Sequence, residues 1–201
     1  DKQPKIKAVF SNVVTTNRST NIKKDKAEVH TIEHLMASIY SLEIDNLLIT
    51  IDNIEVPILD GSSKEITALL KKSGIKKQSA NKKIVKITKK YFIKNENNNA
   101  TYLIEPSEKL NIQVKLDYNK TFLKNQTAIL EDINKFENEI SSARTFSFLN
   151  EVDYLIKNNL IKGGNLDNAL IFVNEEASDD LKKILINKFS QKNLTFETGK
   201  L

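Results

Sequence analysis

The densest group of reactive side chains in this chain is His30-Thr31-Ile32-Glu33-His34, which contains its only two histidines and a carboxylate beside the second. Read as H-x-x-E-H, the segment matches a peptidase pattern in which two imidazoles one helical turn apart bind zinc and the glutamate activates water. A second reading begins the helix with Thr31 as its N-cap and leaves His30 outside. Glu33 and His34 then occupy the first turn, where free N–H groups and the positive end of the helix dipole favour a carboxylate and developing negative charge. In that arrangement only one of the two histidines binds a metal. The chain has no cysteine, which removes thiolate nucleophiles, disulfides and thiolate metal sites, and His30 and His34 are its only imidazoles, so a metal site within it is poor in nitrogen ligands. Gly163-Gly164 lacks the surroundings of either nucleotide-binding fingerprint and is given no catalytic role.

The elements that must position these residues can be read from periodicity. Ile32, Leu35, Met36, Ile39 and Tyr40 recur at helical spacing and predict an amphipathic helix over Thr31–Ser41 with this stripe on the core. His34 lies about 200° around the wheel from Ile32 and points away from the stripe. A second helix is expected over Ser62–Lys72, capped by Ser62 and stopped by Gly74, after Ile- and Leu-rich strands at Asn46–Asp52 and Val56–Asp60. Residues 78–83 are polar and read as a linker between a first domain, 1–77, and a second, 84–201. The second opens with β-prone segments at Ile84–Lys94, Thr101–Glu105, Leu110–Tyr118 and Gln126–Leu130, read as a meander in which Asn95–Asn99 is a hairpin loop. Helices over Asn150–Asn158 and Ser178–Phe189 flank a strand at Ala169–Val173. Strands running into helices in both blocks give an α+β fold of two domains, each a sheet layered with helices, with an active site between them.

Composition narrows the function classes. A chain of 201 residues with 39% hydrophobic content can bury real cores and is not a disordered tail. Its longest apolar runs, such as Leu47-Leu48-Ile49, fall far short of the ~20 residues needed to cross a bilayer. The formal charge of +5 comes almost entirely from dispersed lysines, with arginine only at 18 and 144. Nucleic-acid binding wants such charge gathered on one face with aromatics interleaved, so no nucleic-acid partner is expected. The chain opens at Asp1 and stops at Leu201, directly after Thr198-Gly199-Lys200, and reads as a fragment.

Six segments stand in an order that resembles a known family. They are Asn12-Val13-Val14-Thr15-Thr16, Thr31-Ile32-Glu33-His34-Leu35-Met36-Ala37, Ile44-Asp45-Asn46, Val56-Pro57-Ile58-Leu59-Asp60-Gly61-Ser62-Ser63, Ala143-Arg144-Thr145-Phe146-Ser147-Phe148 and Gly163-Gly164-Asn165-Leu166-Asp167-Asn168-Ala169. Together they resemble the zinc-dependent UDP-3-O-acyl-N-acetylglucosamine deacetylases of lipid A biosynthesis. The resemblance implies Zn2+ as cofactor with His34 as a ligand, Glu33 as the general base acting on water, and Thr145 as hydrogen-bond donor to the tetrahedral oxyanion. It also implies Phe146 against the sugar, Asp117 and Tyr118 at the uracil ring where the family commonly has Asp-Phe, and Glu151 on the nucleotide. The implied substrate is a UDP-linked 3-O-acyl-N-acetylglucosamine, hydrolysed in the cytoplasm. Ser178–Leu201 resembles an insert of versions fused to a 3-hydroxyacyl-[acyl-carrier-protein] dehydratase. Two departures are plain. The family's H-K-x-x-D segment with the other two zinc ligands, and the general-acid histidine after it, are absent from these residues, as is its opening G-V-G-L-H-S-G segment. An inactive truncated relic and an H-x-x-E-H peptidase therefore stand as the alternatives.

Overall fold

The computed structural model describes residues 3–118, 124–157, 165–172 and 178–189. Strands β1 (Val13–Thr15), β2 (Asn21–Lys24) and β3 (Ala27–Val29) form an antiparallel sheet in that order, with Ile22 opposite Val13 on one side and Val29 on the other. Helix α1 (Glu33–Ser41) follows, and α2 (Lys64–Ser73) packs on it. The core here joins buried Ile22, Ile32 and Val56, with Val13, Val29, Leu35 and Met36 packed against them, so Ile32, Leu35 and Met36 of the predicted stripe face inward, whereas Tyr40, expected on the same stripe, is exposed. Small hydroxyl residues let the two helices approach. Ser38 and Thr67 are fully buried, and both donate to the Ser63 carbonyl, at 3.2 and 2.8 Å. Buried groups paired in this way avoid the penalty of an unmade hydrogen bond.

Two antiparallel hairpins come next, β4 (Tyr91–Lys94) with β5 (Thr101–Ile104), and β6 (Ile112–Leu116) with β7 (Gln126–Leu130). After the short α3 (Phe136–Glu139), strand β8 (Phe146–Phe148) runs into α4 (Leu149–Lys157) and pairs in parallel with β9 (Leu170–Phe172); α5 (Asp179–Phe189) closes the described chain. The content is mixed helix and sheet, as α+β requires. No helix among the described residues is long and apolar enough to cross a membrane.

Several expectations need correction. Residues 46–52 and 56–60 form no regular strand; an isolated parallel bridge between His30 and Glu55 is their nearest approach to a ladder. Aliphatic runs signal β-propensity, but a strand also needs a neighbour for its N–H and C=O groups, and Pro57 has no N–H to offer. Leu59 has φ 51, which breaks an extended path. The segment 84–90 is not a strand, and β4 begins only at Tyr91. The meander is two separate hairpins. All residues of β4, β5 and β6 are exposed. The Asn95–Asn99 loop turns as expected through its own amides, Asn97 N–H donating to Asn95 Oδ1 and Ala100 N–H to Asn98 Oδ1, both at 3.0 Å. Thr31 is not the N-cap of α1. That position is Ile32, and Thr31 has φ 58. The N-cap of α2 is Ser63, although Ser62 Oγ does accept from Lys64 N–H at 3.2 Å, and Gly74 with φ 79 ends the helix. Gly163-Gly164, Asn158, Val173 and residues 190–201 of the expected insert lie outside the described residues.

Candidate functional site

Glu33 and His34 sit in the first turn of α1, and the start of β2 fixes that turn. Thr20 N–H donates to Glu33 Oε2 at 2.8 Å, Ile32 N–H donates to the Thr20 carbonyl at 3.1 Å, and Thr31 N–H donates to Asn21 Oδ1 at 3.1 Å. From the other side, Thr31 Oγ1 donates to Glu55 Oε1 at 2.7 Å. These bonds hold a β-branched residue in the left-handed region, a conformation costing roughly 1–2 kcal/mol, which bonds contributing about 0.5–1.5 kcal/mol each can offset. Glu33 and His34 are both partly buried. Among the described residues no hydrogen bond engages the His34 ring, whereas His30 Nε2 lies 2.8 Å from Glu28 Oε1. That contact, joined by Lys23, holds the Glu28 carboxyl below its usual range. His30 precedes the helix, so the two imidazoles do not share a helical turn as a peptidase site would need.

Thr145 stands one residue before β8. Its N–H donates to the Gly61 carbonyl at 2.9 Å and its carbonyl accepts from Leu170 N–H at 3.0 Å, while its side chain is exposed and, among the described residues, its hydroxyl makes no hydrogen bond. Among the described residues no hydrogen bond joins Thr145 to Glu33 or His34; the segment 60–63 connects the two places. Ser38 Oγ reaches both the His34 carbonyl, at 3.0 Å, and the Ser63 carbonyl, and Ser63 N–H donates to the Ser141 carbonyl at 3.0 Å. Arg144 Nε donates to the Asp60 carbonyl at 2.7 Å and its Nη2 to the Leu166 carbonyl at 3.2 Å. Asp60 Oδ1 in turn accepts from Ser62 Oγ at 2.7 Å and Ser62 N–H at 3.0 Å. The Ser62 hydroxyl is the main reason its carboxyl is held low, against a burial effect that pushes it up. Gly61 is where the pieces meet most closely: a Cβ built on it would lie 1.8 Å from the Asn168 carbonyl oxygen.

Of the residues expected at the sugar and the nucleotide, Phe146 lies on β8, and Tyr118 and Glu151 contact that strand. Phe146, Phe148, Phe172 and Tyr118 form an aromatic cluster, with Tyr118 edge-on to Phe148 at 5.1 Å and to Phe146 at 6.0 Å between centroids. Phe146 and exposed Tyr118 therefore stand side by side, whereas Asp117 is exposed just beyond the end of β6.

 The 6.0 Å centroid separation of Tyr118 and Phe146 makes two segments distant in sequence neighbours in space.

Glu151 is the third residue of α4 and caps it. Its Oε2 accepts from Phe148 N–H at 3.2 Å and Ser147 Oγ at 3.1 Å, while Arg18 Nη2 reaches Oε1 at 3.1 Å. Burial pushes its carboxyl up, but the Phe148 amide, Arg18 and Ser147 outweigh it and the net shift is downward. The sequence reading did not single out Arg18, Thr20, Asn21 or Glu55. The scarcity of arginine was the available signal, because Arg18 and Arg144 both sit at joints between distant segments.

A catalytic zinc ion takes three protein ligands. Among the described residues no three His, Cys, Asp or Glu side chains converge to hold one. His34 fits as a single ligand, and these residues do not complete the site.

The chain is thus an α+β protein that sets a carboxylate and an imidazole at one helix start and links them, through residues 60–63, to an exposed threonine beside an aromatic cluster. It belongs to the UDP-3-O-acyl N-acetylglycosamine deacetylase (LpxC) family, whose sequence profile matches residues 1–184. It is 39% identical over 178 residues to the bifunctional enzyme LpxC/FabZ of Porphyromonas gingivalis, covering 89% of this chain and 38% of that protein. It is 39% identical over 169 residues to the UDP-3-O-acyl-N-acetylglucosamine deacetylase of Nautilia profundicola, covering 84% and 57%. With the Nitratiruptor sp. deacetylase it shares 38% identity over 186 residues, covering 92% and 59%. The chain therefore spans only part of the length of the curated relatives it matches.

Proposed function

We propose that the protein containing this chain hydrolyses the N-acetyl group of a UDP-3-O-acyl-N-acetylglucosamine, releasing acetate, in the cytoplasmic stage of lipid A biosynthesis. The observation that carries the reading is the family match over residues 1–184. The placement of Glu33 supports it: Oε2 is tied to Thr20 N–H, which leaves Oε1 to take a proton from the attacking water. The unengaged hydroxyl of Thr145 suits a donor to the oxyanion formed at the acetamide carbon. Collapse of that intermediate breaks the C–N bond, and the proton that Glu33 took from water passes to the departing glucosamine nitrogen. Phe146 and Tyr118 offer ring faces to the sugar and the uracil, and Asp117 and Glu151 supply carboxylates for the nucleotide. His34 would be one ligand of a zinc ion, which when bound supplies Lewis-acid activation. The site lies where residues 1–77 meet residues 84–201. The LpxC/FabZ relatives make a fused dehydratase part of the proposal for the full-length protein. The peptidase reading loses its support because His30 stands outside α1 and is held by Glu28.

The test is acetate release by the full-length protein from UDP-3-O-acyl-N-acetylglucosamine. Glu33→Gln should lower kcat by about 10²-fold or more without changing the fold; unchanged turnover removes Glu33 from the mechanism.

A further inference from the structure

Seven non-glycine residues among those described have positive φ: Arg18, Asp25, Thr31, Glu43, Leu59, Asn99 and Asn125. Six of them are exposed, and three of those are Asp or Asn, which tolerate this region. Thr31 alone is β-branched and buried, at 8% exposure. An unfavourable conformation persists only where its surroundings over-determine it, and such places cluster at functional sites. Asn21, itself buried, accepts from the Thr31 amide, Glu55 accepts from the Thr31 hydroxyl, and the next residue, Ile32, donates to the Thr20 carbonyl. Two residues further on, Glu33 receives the Thr20 amide.

The geometry points to Thr31 as a positioning residue for the reaction: its clamped left-handed backbone turns the chain into α1 so that Glu33 Oε2 meets Thr20 N–H and Oε1 stays free. This inference rests on Glu33 being the base proposed above. Without the clamp, residues 31–33 can relax toward an ordinary helix start and carry the carboxylate off the Thr20 amide. Thr31→Gly is the direct perturbation, because glycine adopts this φ without strain and lacks the hydroxyl.

The test uses the full-length protein and compares Thr31→Gly, Thr31→Ser and Glu33→Gln. Thr31→Gly should keep its melting temperature and KM near the parent values while kcat falls about tenfold or more, since misplacement by ~1 Å costs up to ~10²-fold. Exchange of the Thr20 amide should quicken in the same variant. Thr31→Ser keeps the hydroxyl and should recover most of the lost kcat. A Thr31→Gly protein with kcat within twofold of the parent overturns the inference, as does a loss that merely follows the unfolded fraction while Thr20 exchange is unchanged. If Thr31→Gly does not fold, Glu55→Ala removes the exposed acceptor alone and should show the same faster Thr20 exchange with reduced kcat; unchanged values overturn the inference. Glu33→Gln separates the two claims: an active Glu33→Gln protein sinks the base assignment and the positioning role with it, while an inactive one beside a fully active Thr31→Gly sinks the positioning role alone.

Discussion

Replacing Gly61 by alanine tests the joint that carries Thr145. The new Cβ would lie 1.8 Å from the Asn168 carbonyl oxygen and 2.7 Å from its carbon, both backbone atoms that cannot swing aside. Ordinary contact would require a retreat of more than 1 Å, enough to break the 2.9 Å bond from Thr145 N–H to the Gly61 carbonyl. The left-handed backbone at φ 81 adds roughly 1–2 kcal/mol for any L side chain. Losing one or two hydrogen bonds at a buried joint adds about 1–3 kcal/mol, for a total of about 2–5 kcal/mol. Gly74 is the internal control, because its φ is 79 but nothing lies within 4 Å of its built Cβ. Gly74→Ala should cost only the backbone part. Urea denaturation of the two variants and the parent reads both numbers. Equal costs at the two glycines would refute the close approach of Gly61 to Asn168.

Zinc content separates the two histidines: His34→Ala should lower the metal bound per full-length protein, and His30→Ala should leave it nearly unchanged. Equal loss in both would restore the paired-imidazole reading. Acid stability depends on Asp60 and Glu151, whose carboxyls are held below their usual range in the fold. Such groups stabilise the folded state above their unfolded pKa and lose that contribution as pH falls through the folded value, so stability should drop below about pH 4. Asp60→Asn and Glu151→Gln should each flatten that drop in denaturation curves recorded from pH 7 to pH 3, and an unaltered slope contradicts the assignment.

Helices were the readable part of this fold. The stripe from Ile32 to Tyr40 and the pairing of a polar cap with Gly74 define α1 and α2 to within two residues, because helical periodicity and terminal residues act locally. The expected strands at 46–52 and 56–60 do not form: Leu47, Leu48 and Ile49 carry β-propensity but find no ladder partner among the described residues. Of the candidate site, Glu33, His34 and Thr145 were visible as motif residues, and so was the turn at Gly61. The support around them was not. Arg18 with Glu151 is a pair 133 positions apart, and Thr31 adopts a backbone that its β-branched side chain argues against. Such features depend on tertiary context that local pattern does not encode.

The central claim is that the helix start at Glu33-His34 and the threonine before β8 serve one reaction centre. The direct measurement is the NMR signal of the Thr145 methyl group in the full-length protein after its metal is replaced by paramagnetic Co2+. Strong broadening or shift of that methyl, abolished by His34→Ala, is the result predicted. A methyl signal identical with and without Co2+ would contradict it.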